Sequence, residues 1–316
     1  MGRAASRVSR AAFRAAPVRV RVPATSANLG PGFDALGLAL GLHDDVVVRV
    51  SDDGLFVDVA GEGADSVPRT RRHLVVRALQ AGFDALGGQP RGLEVVCANR
   101  IPHGRGLGSS AAAIVAGLVA ARALVLGGDE ALDDEALLDL AARLEGHPDN
   151  VAACLYGGLT LAWTDPDTQD GPGRTEAVRL PVAAGLRPVA FVPGTSSSTA
   201  KARRALPETV PHADAAANAA RAGLLVHALG VRPELLFPAT EDRLHQRYRA
   251  AGQARSATLM DALRRDGVPA VISGAGPTVL AFAGPTDDLS AYVPRGWQVE
   301  QLAVDPGGAA LLPLSG

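Results

Sequence analysis

Apolar and polar positions alternate over Val18–Val22 ("VRVRV"), the pattern of a strand with one buried face. Similar short runs follow in "HDDVVVRV" and "LFVDVA", separated by a turn at Asp52-Asp53-Gly54, and then in "GLEVVCA". Between Val22 and these strands, "PATSANLGPGFDALGLAL" reads as a glycine-punctuated loop leading into an apolar segment. From Arg69 to Leu86 apolar residues return at helical spacing, and Gly87-Gly88 ends that helix. Ser109–Val125 predicts a helix of small and aliphatic residues, narrow enough to pack closely on a sheet. Another helix is predicted over Asp133–Leu144, with Asp133, Asp134 and Glu135 at the end where the helix dipole favours acids. After "EGHPDN" a short helix and "GGLTLAW" return the chain to a strand, and Asp165–Arg174 ("DPDTQDGPGR") is the best candidate for a linker or exposed loop.

The second half mixes the same elements. "RPVAFVP" predicts a strand, "STAKARRALP" a helix with a Ser/Thr cap, and "ADAAANAARAGLLVHALG" a long amphipathic helix. "PAVISGAGPTVLAFAG" reads as two strands pinched at Gly274-Ala275-Gly276-Pro277. Helices and antiparallel-looking strands intermix without a βαβ rhythm, which predicts an α+β fold of two domains.

Composition narrows the function. The 316 residues, 47% hydrophobic and 20% charged, suffice for two packed domains, and a net charge of -2 argues against nucleic acid as a main partner. Cys97 and Cys154 sit in apolar runs and are expected to be reduced core residues. No uninterrupted apolar run reaches the roughly 18 residues of a membrane span. The first sixteen residues are rich in Arg and Ala with no acid. They share that composition with organelle transit peptides, but are read here as a disordered or mis-annotated tail of a cytoplasmic protein. Lys201 is the single lysine, so an anionic substrate must be held by arginine, Lys201, a metal or backbone amides.

"IPHGRGLGSSAAA" supplies such amides. A strand, a glycine-rich loop and a helix start together form a phosphate cradle, here from the N–H groups of Gly106, Leu107, Gly108, Ser109 and Ser110. A plain glycine-rich turn is the bland alternative, but it gives no reason for two adjacent hydroxyls at a helix start. There is no Walker lysine, and no acid about twenty residues on as a dinucleotide fingerprint requires.

Three motifs carry a resemblance that covers nearly all of the chain after residue 17. "PHGRGLGSSAAA" resembles the second motif of the GHMP kinases, and "ISGAGPTVLAF" the third. "PATSANLGPGFDALGLAL" resembles the first motif in the form found in the homoserine kinase family. The resemblance implies an N-terminal domain like domain 2 of ribosomal protein S5 over 17–165, after the tail 1–16, and a ferredoxin-like C-terminal domain over 166–316. It implies ATP with Mg²⁺ as phosphoryl donor, contacted through Pro102, Gly104, Arg105, Gly106, Leu107, Gly108, Ser109, Ser110 and Ala111. The metal would lie on Ser110 and Glu145, with Asp149 as a substitute for Glu145.

For the acceptor the resemblance implies L-homoserine, phosphorylated on its hydroxyl on the way to threonine. Asn28, Asp34, His147, Thr199, Arg203 and Gly274 would line its site, with Asn28, Asp34 and Arg203 closest to the chemistry. Taken alone, Asn28 and Asp34 also suit a turn, and His147 a structural place before proline. Thr199 and Arg203 fall one helical turn apart, which leaves Lys201 and Arg204 to solvent. The chain departs from its relatives at Glu241, where many carry a second carboxylate-binding arginine; Arg243 is the nearest substitute. It departs again at Asn150, where some members place a catalytic Asp, so no dedicated general base is expected. The rival readings are a GHMP kinase for a mevalonate-like or methylerythritol-like alcohol, and a nucleotide-binding regulator without catalysis. Whether the chain forms a homodimer is left open.

Overall fold

Two sheets organise the chain in the computed structural model, which describes residues 11–168, 171–284 and 287–314. The first has seven strands: β1 (Val18–Ala27), β2 (Leu36–Ser51), β3 (Gly54–Gly61), β4 (Gly92–Asn99), β5 (Leu159–Thr164), β6 (Thr175–Leu180) and the C-terminal β11 (Ala310–Leu312). Their order is β11-β1-β2-β4-β3, with β5 paired to β2 and β6 to β5. All pairs are antiparallel except β3 with β4. That parallel pair is joined by α1 (Leu74–Ala85), a single βαβ unit within an otherwise antiparallel sheet.

Helices α2 (Ser109–Leu124), α3 (Gly128–Ala131), α4 (Asp134–Glu145) and α5 (Asp149–Tyr156) complete this half. Apolar side chains of α2 are buried around nearly its whole circumference. It meets α1 through small residues: a Cβ at Gly117 would lie 2.6 Å from the Ala78 Cβ, and one at Gly82 2.7 Å from that of Ala121. Cys97 and Cys154 are buried free thiols, as expected.

The second sheet contains β7 (Pro188–Pro193), β8 (Ala270–Ile272), β9 (Val279–Phe282) and β10 (Trp297–Gln301), in the order β10-β7-β9-β8, all antiparallel. This is the strand order of a ferredoxin-like sheet. Between β7 and β8 run α6 (Thr199–Arg204), α7 (His212–Gly230), α8 (Leu236–Ala239), α9 (Gln246–Arg249) and α10 (Ala254–Arg265). The second crossover shrinks to a 3₁₀ turn at Ser290–Tyr292. No helix among the described residues is long and apolar enough to cross a membrane.

Two expectations change and one narrows. The first motif is not a loop throughout: β1 runs on to Ala27 and β2 starts at Leu36, because Ala24, Ala27, Leu36 and Leu38 are all needed in the core. The register shifts at Pro23, which has no N–H to give the ladder. Of the two readings of Asp165–Arg174, linker or exposed loop, the second holds: the segment joins β5 to β6 within the first sheet, and the chain crosses to the second sheet after Leu180. Loop composition by itself does not distinguish a hairpin from a linker. Of the expected tail, residues 1–10 lie outside the described residues, while Phe13 pairs with Val125 and meets the Phe83 ring edge-on at 5.5 Å. An aromatic side chain is reason enough for residues 11–14 to pack.

Candidate active site

The three glycine-rich motifs meet in one cleft between the sheets. The second leaves β4 at Asn99 and is held at once by Asp44, whose Oδ1 accepts the N–H groups of Arg100 (2.6 Å) and Ile101 (2.9 Å). Burial pushes the Asp44 carboxyl up to about 6, although those two bonds pull the other way. Gly104, Gly106 and Gly108 are left-handed at φ 65°, 79° and 71°. With Arg105 and Leu107 at negative φ between them, this is the alternation from which backbone anion-binding nests are built, and α2 begins at the next residue. A Cβ at Gly108 would collide with Thr25 Oγ1, and one at Gly106 with the Ser273 carbonyl.

Gly104, Gly106, Gly108, Ser109 and Ser110 line the cleft; Pro102, Arg105, Leu107 and Ala111 do not. Leu107 and Ala111 are core residues. Arg105 neither faces the cleft nor is free in solvent. Its guanidinium donates to the carbonyls of Pro193 (2.9 Å), His103 (2.9 Å) and Gly194 (3.0 Å), tying the loop to the end of β7.

Ser110 Oγ donates to Glu145 Oε1 at 2.5 Å, where α4 ends. Burial raises the Glu145 carboxyl, opposed by the Ser110 bond and His147. His147 Nδ1 lies 2.8 Å from Asp149 Oδ1. Burial works against charge on that imidazole, but Asp149 and Glu145 together outweigh it and the net shift is upward. Asp149 Oδ1 also accepts the Asn150 N–H, so it is already committed. Among the described residues no three His, Cys, Asp or Glu side chains converge on a common point. A carboxylate beside a hydroxyl nevertheless suits Mg²⁺, which keeps several waters and takes its remaining ligands from phosphates.

On the side expected to take the acceptor, Asn28, Leu29 and Asp34 are left-handed without being glycine, at φ 66°, 49° and 56°. Asn28 Nδ2 donates to the Gly274 carbonyl at 2.9 Å, and its Oδ1 accepts the Asp34 N–H at 3.0 Å, which joins the first motif to the third. Both Asp34 oxygens accept from Arg203, at 2.7 and 2.9 Å. Thr199 lines the same wall, and Lys201 and Arg204 point to solvent as expected.

Arg243 does not join them. Asp214 on α7 takes it at 3.4 Å, with Glu241 at 3.9 Å, and it is 44% exposed. Arg249 is in the cleft instead and is 4% exposed. It donates through Nε to the Ala202 carbonyl (3.3 Å) and through Nη1 to His245 Nδ1 (3.2 Å) and the Gly274 carbonyl (3.4 Å). Its guanidinium carbon lies 5.2 Å from the centre of the Phe33 ring. Burial, with Arg203 nearby, lowers its pKa, and among the described residues it has no carboxylate partner. The stretch "RLHQRYR" offers three arginines. Only the fold shows that Asp214 takes Arg243 and Arg247 and leaves Arg249.

A second, mostly apolar cavity of about 250 Å³ adjoins the loop. Val22, Val46, Val67, Val75 and Ala112 line it, and it shares Ser109 and Ser110 with the cleft. No motif marks it in the sequence, because its walls come from separate elements.

Known proteins resemble this chain over most of its length. Residues 73–158 match the family model described as the GHMP kinases N terminal domain. The chain is 63% identical to the homoserine kinase of Streptomyces avermitilis over 306 residues, covering 96% of this chain and 98% of that one. It is 49% identical to that of Mycobacterium tuberculosis, covering 90% of each. Among solved structures, the homoserine kinase of Cytophaga hutchinsonii superposes with a TM-score of 0.78 at 27% identity, covering 95% of this chain and 98% of that one. The chain therefore belongs to the homoserine kinase family of the GHMP kinases, phosphotransferases that take their phosphoryl group from ATP.

Proposed function

We propose that this kinase transfers the γ-phosphoryl group of ATP to the side-chain hydroxyl of L-homoserine, giving O-phospho-L-homoserine for threonine synthesis. The observation that carries the choice of acceptor is Arg249, a buried cation that pairs with no carboxylate among the described residues and lies in the same cleft as the Arg203–Asp34 pair. A buried unpaired charge is costly, and a ligand carboxylate removes that cost. Homoserine is a zwitterion. Its carboxylate suits the forks of Arg203 and Arg249, and its ammonium suits Asp34. An acceptor without an amine, such as mevalonate, leaves Asp34 unmatched.

The nest at Gly104–Ser110 would receive the phosphates, and the apolar cavity beside it the nucleoside. Ser110 and Glu145 would hold Mg²⁺, which neutralises charge on the phosphate oxygens when bound. The position where some relatives place a catalytic Asp is Asn150 here, and Asp34 accepts from Arg203 through both oxygens. A loose transition state needs little activation of the nucleophile, so the hydroxyl proton can pass to the transferred phosphoryl group. An ATP supply and two free thiols support a cytoplasmic location. The test is ADP release with ATP and Mg²⁺ against homoserine, mevalonate and other small alcohols. Homoserine should stimulate turnover; stimulation only by another alcohol would overturn the assignment.

A further inference from the structure

His245 would touch neither ATP nor the acceptor, yet it is fully buried behind both. Its Nε2 lies 2.8 Å from the Gly30 carbonyl oxygen, its Nδ1 lies 3.2 Å from Arg249 Nη1, and its ring stacks on Phe33 at 5.0 Å. A carbonyl can only accept a hydrogen bond and a guanidinium can only donate one. The two partners therefore fix the proton on Nε2 and leave Nδ1 as an acceptor. The imidazole must be neutral and in one tautomer. Burial lowers its pKa, in agreement, though Asp242 at 3.7 Å pulls the other way.

Three bonds orient Arg249, to the carbonyls of Ala202 and Gly274 at 3.3 and 3.4 Å and to His245 Nδ1 at 3.2 Å, and of these acceptors only His245 is a side chain. Arg249 Nη2 has no protein partner among the described residues. The Gly30 carbonyl belongs to the turn between Asn28 and Asp34, so a single ring links that turn to Arg249. Asp242 in turn fixes His245, its carboxylate accepting the N–H groups of Leu244, His245 and Gln246.

We propose that His245 is a positioning residue: its Nδ1 lone pair holds Arg249 Nη1 and so turns Nη2 toward the carboxylate of the acceptor amino acid. The proposal rests on the reading that Arg249 receives that carboxylate.

Two conservative variants of the full-length chain separate this role from simple packing. His245→Asn keeps an acceptor oxygen at the Nδ1 position, whereas His245→Gln keeps an N–H that can reach Gly30. If His245 orients Arg249, His245→Gln raises the KM for homoserine about tenfold and leaves the KM for ATP within about twofold, while His245→Asn stays near wild type. If the two variants are equal, or if kcat and both KM values worsen together, the residue only fills space and the proposal falls. Nitrogen-detected NMR of the wild-type chain tests the same point without mutation: at pH 7.5 His245 should be the Nε2–H tautomer, and an Nδ1–H tautomer or an imidazolium overturns it. Arg249→Ala distinguishes the two levels. An unchanged homoserine KM in that variant removes the reading of Arg249, whatever tautomer His245 adopts.

Discussion

Asp34 and Arg203 meet through two parallel hydrogen bonds, 169 residues apart in sequence, in the wall of the cleft. Each is about one third exposed, so the pair itself adds little to stability, roughly 0–1 kcal/mol. Its value lies in geometry. Opposite charges are held side by side, and the zwitterion homoserine would present the same two charges in reverse.

Arg203→Lys keeps the charge and loses the fork. The homoserine KM should rise about 10- to 100-fold with the ATP KM nearly unchanged, measured by steady-state kinetics. Asp34→Asn should likewise act mainly on homoserine KM. A fall in turnover of several orders of magnitude at unchanged homoserine affinity would instead identify Asp34 as a base.

Glu145→Gln keeps the shape of the helix end and removes a ligand charge. The Mg²⁺ concentration for half-maximal rate should rise by about tenfold or more, read from a metal titration at saturating ATP. The melting temperature should not fall, because burial already raises the Glu145 carboxyl. An unaltered Mg²⁺ requirement would place the metal elsewhere.

Gly108→Ala puts a Cβ against Thr25 Oγ1 at a left-handed position. The strain, about 1–2 kcal/mol before the collision is counted, falls on the phosphate loop, so kcat/KM for ATP should drop at least tenfold. Gly54→Ala is the control: its φ is 78°, but the space around it is open. It should cost a little stability and no activity.

Asp44→Asn tests a charge buried behind the loop. The carboxyl titrates near 6 in the folded chain, above its ordinary 3.8, so the folded state holds the proton more tightly. Stability therefore falls as pH rises through that interval and stays lower above it. Asparagine keeps an oxygen for the two amides, both of which bond to Oδ1. The variant should be more stable than wild type at pH 8, by at most about 3 kcal/mol, with about half of that gap left at pH 5. Equal destabilisation at both pH values would show that the carboxylate's hydrogen bonds outweigh its burial.

What the sequence determined by itself was local. Alternation at Val18–Val22, helical spacing before Gly87 and glycines at 104, 106 and 108 each act within a few residues, and the elements they predict are present. The motifs named the family for the same reason, since each is one turn or one loop whose backbone needs those residues. Tertiary structure alone decided which distant groups meet. Asn28 reaches Gly274 across 246 residues, Ala310–Leu312 returns to pair with β1, and Arg249 rather than Arg243 enters the cleft because Asp214 takes the other. Those outcomes depend on long-range packing and on competition among like residues for the same partner, and neither leaves a period or a spacing in the chain.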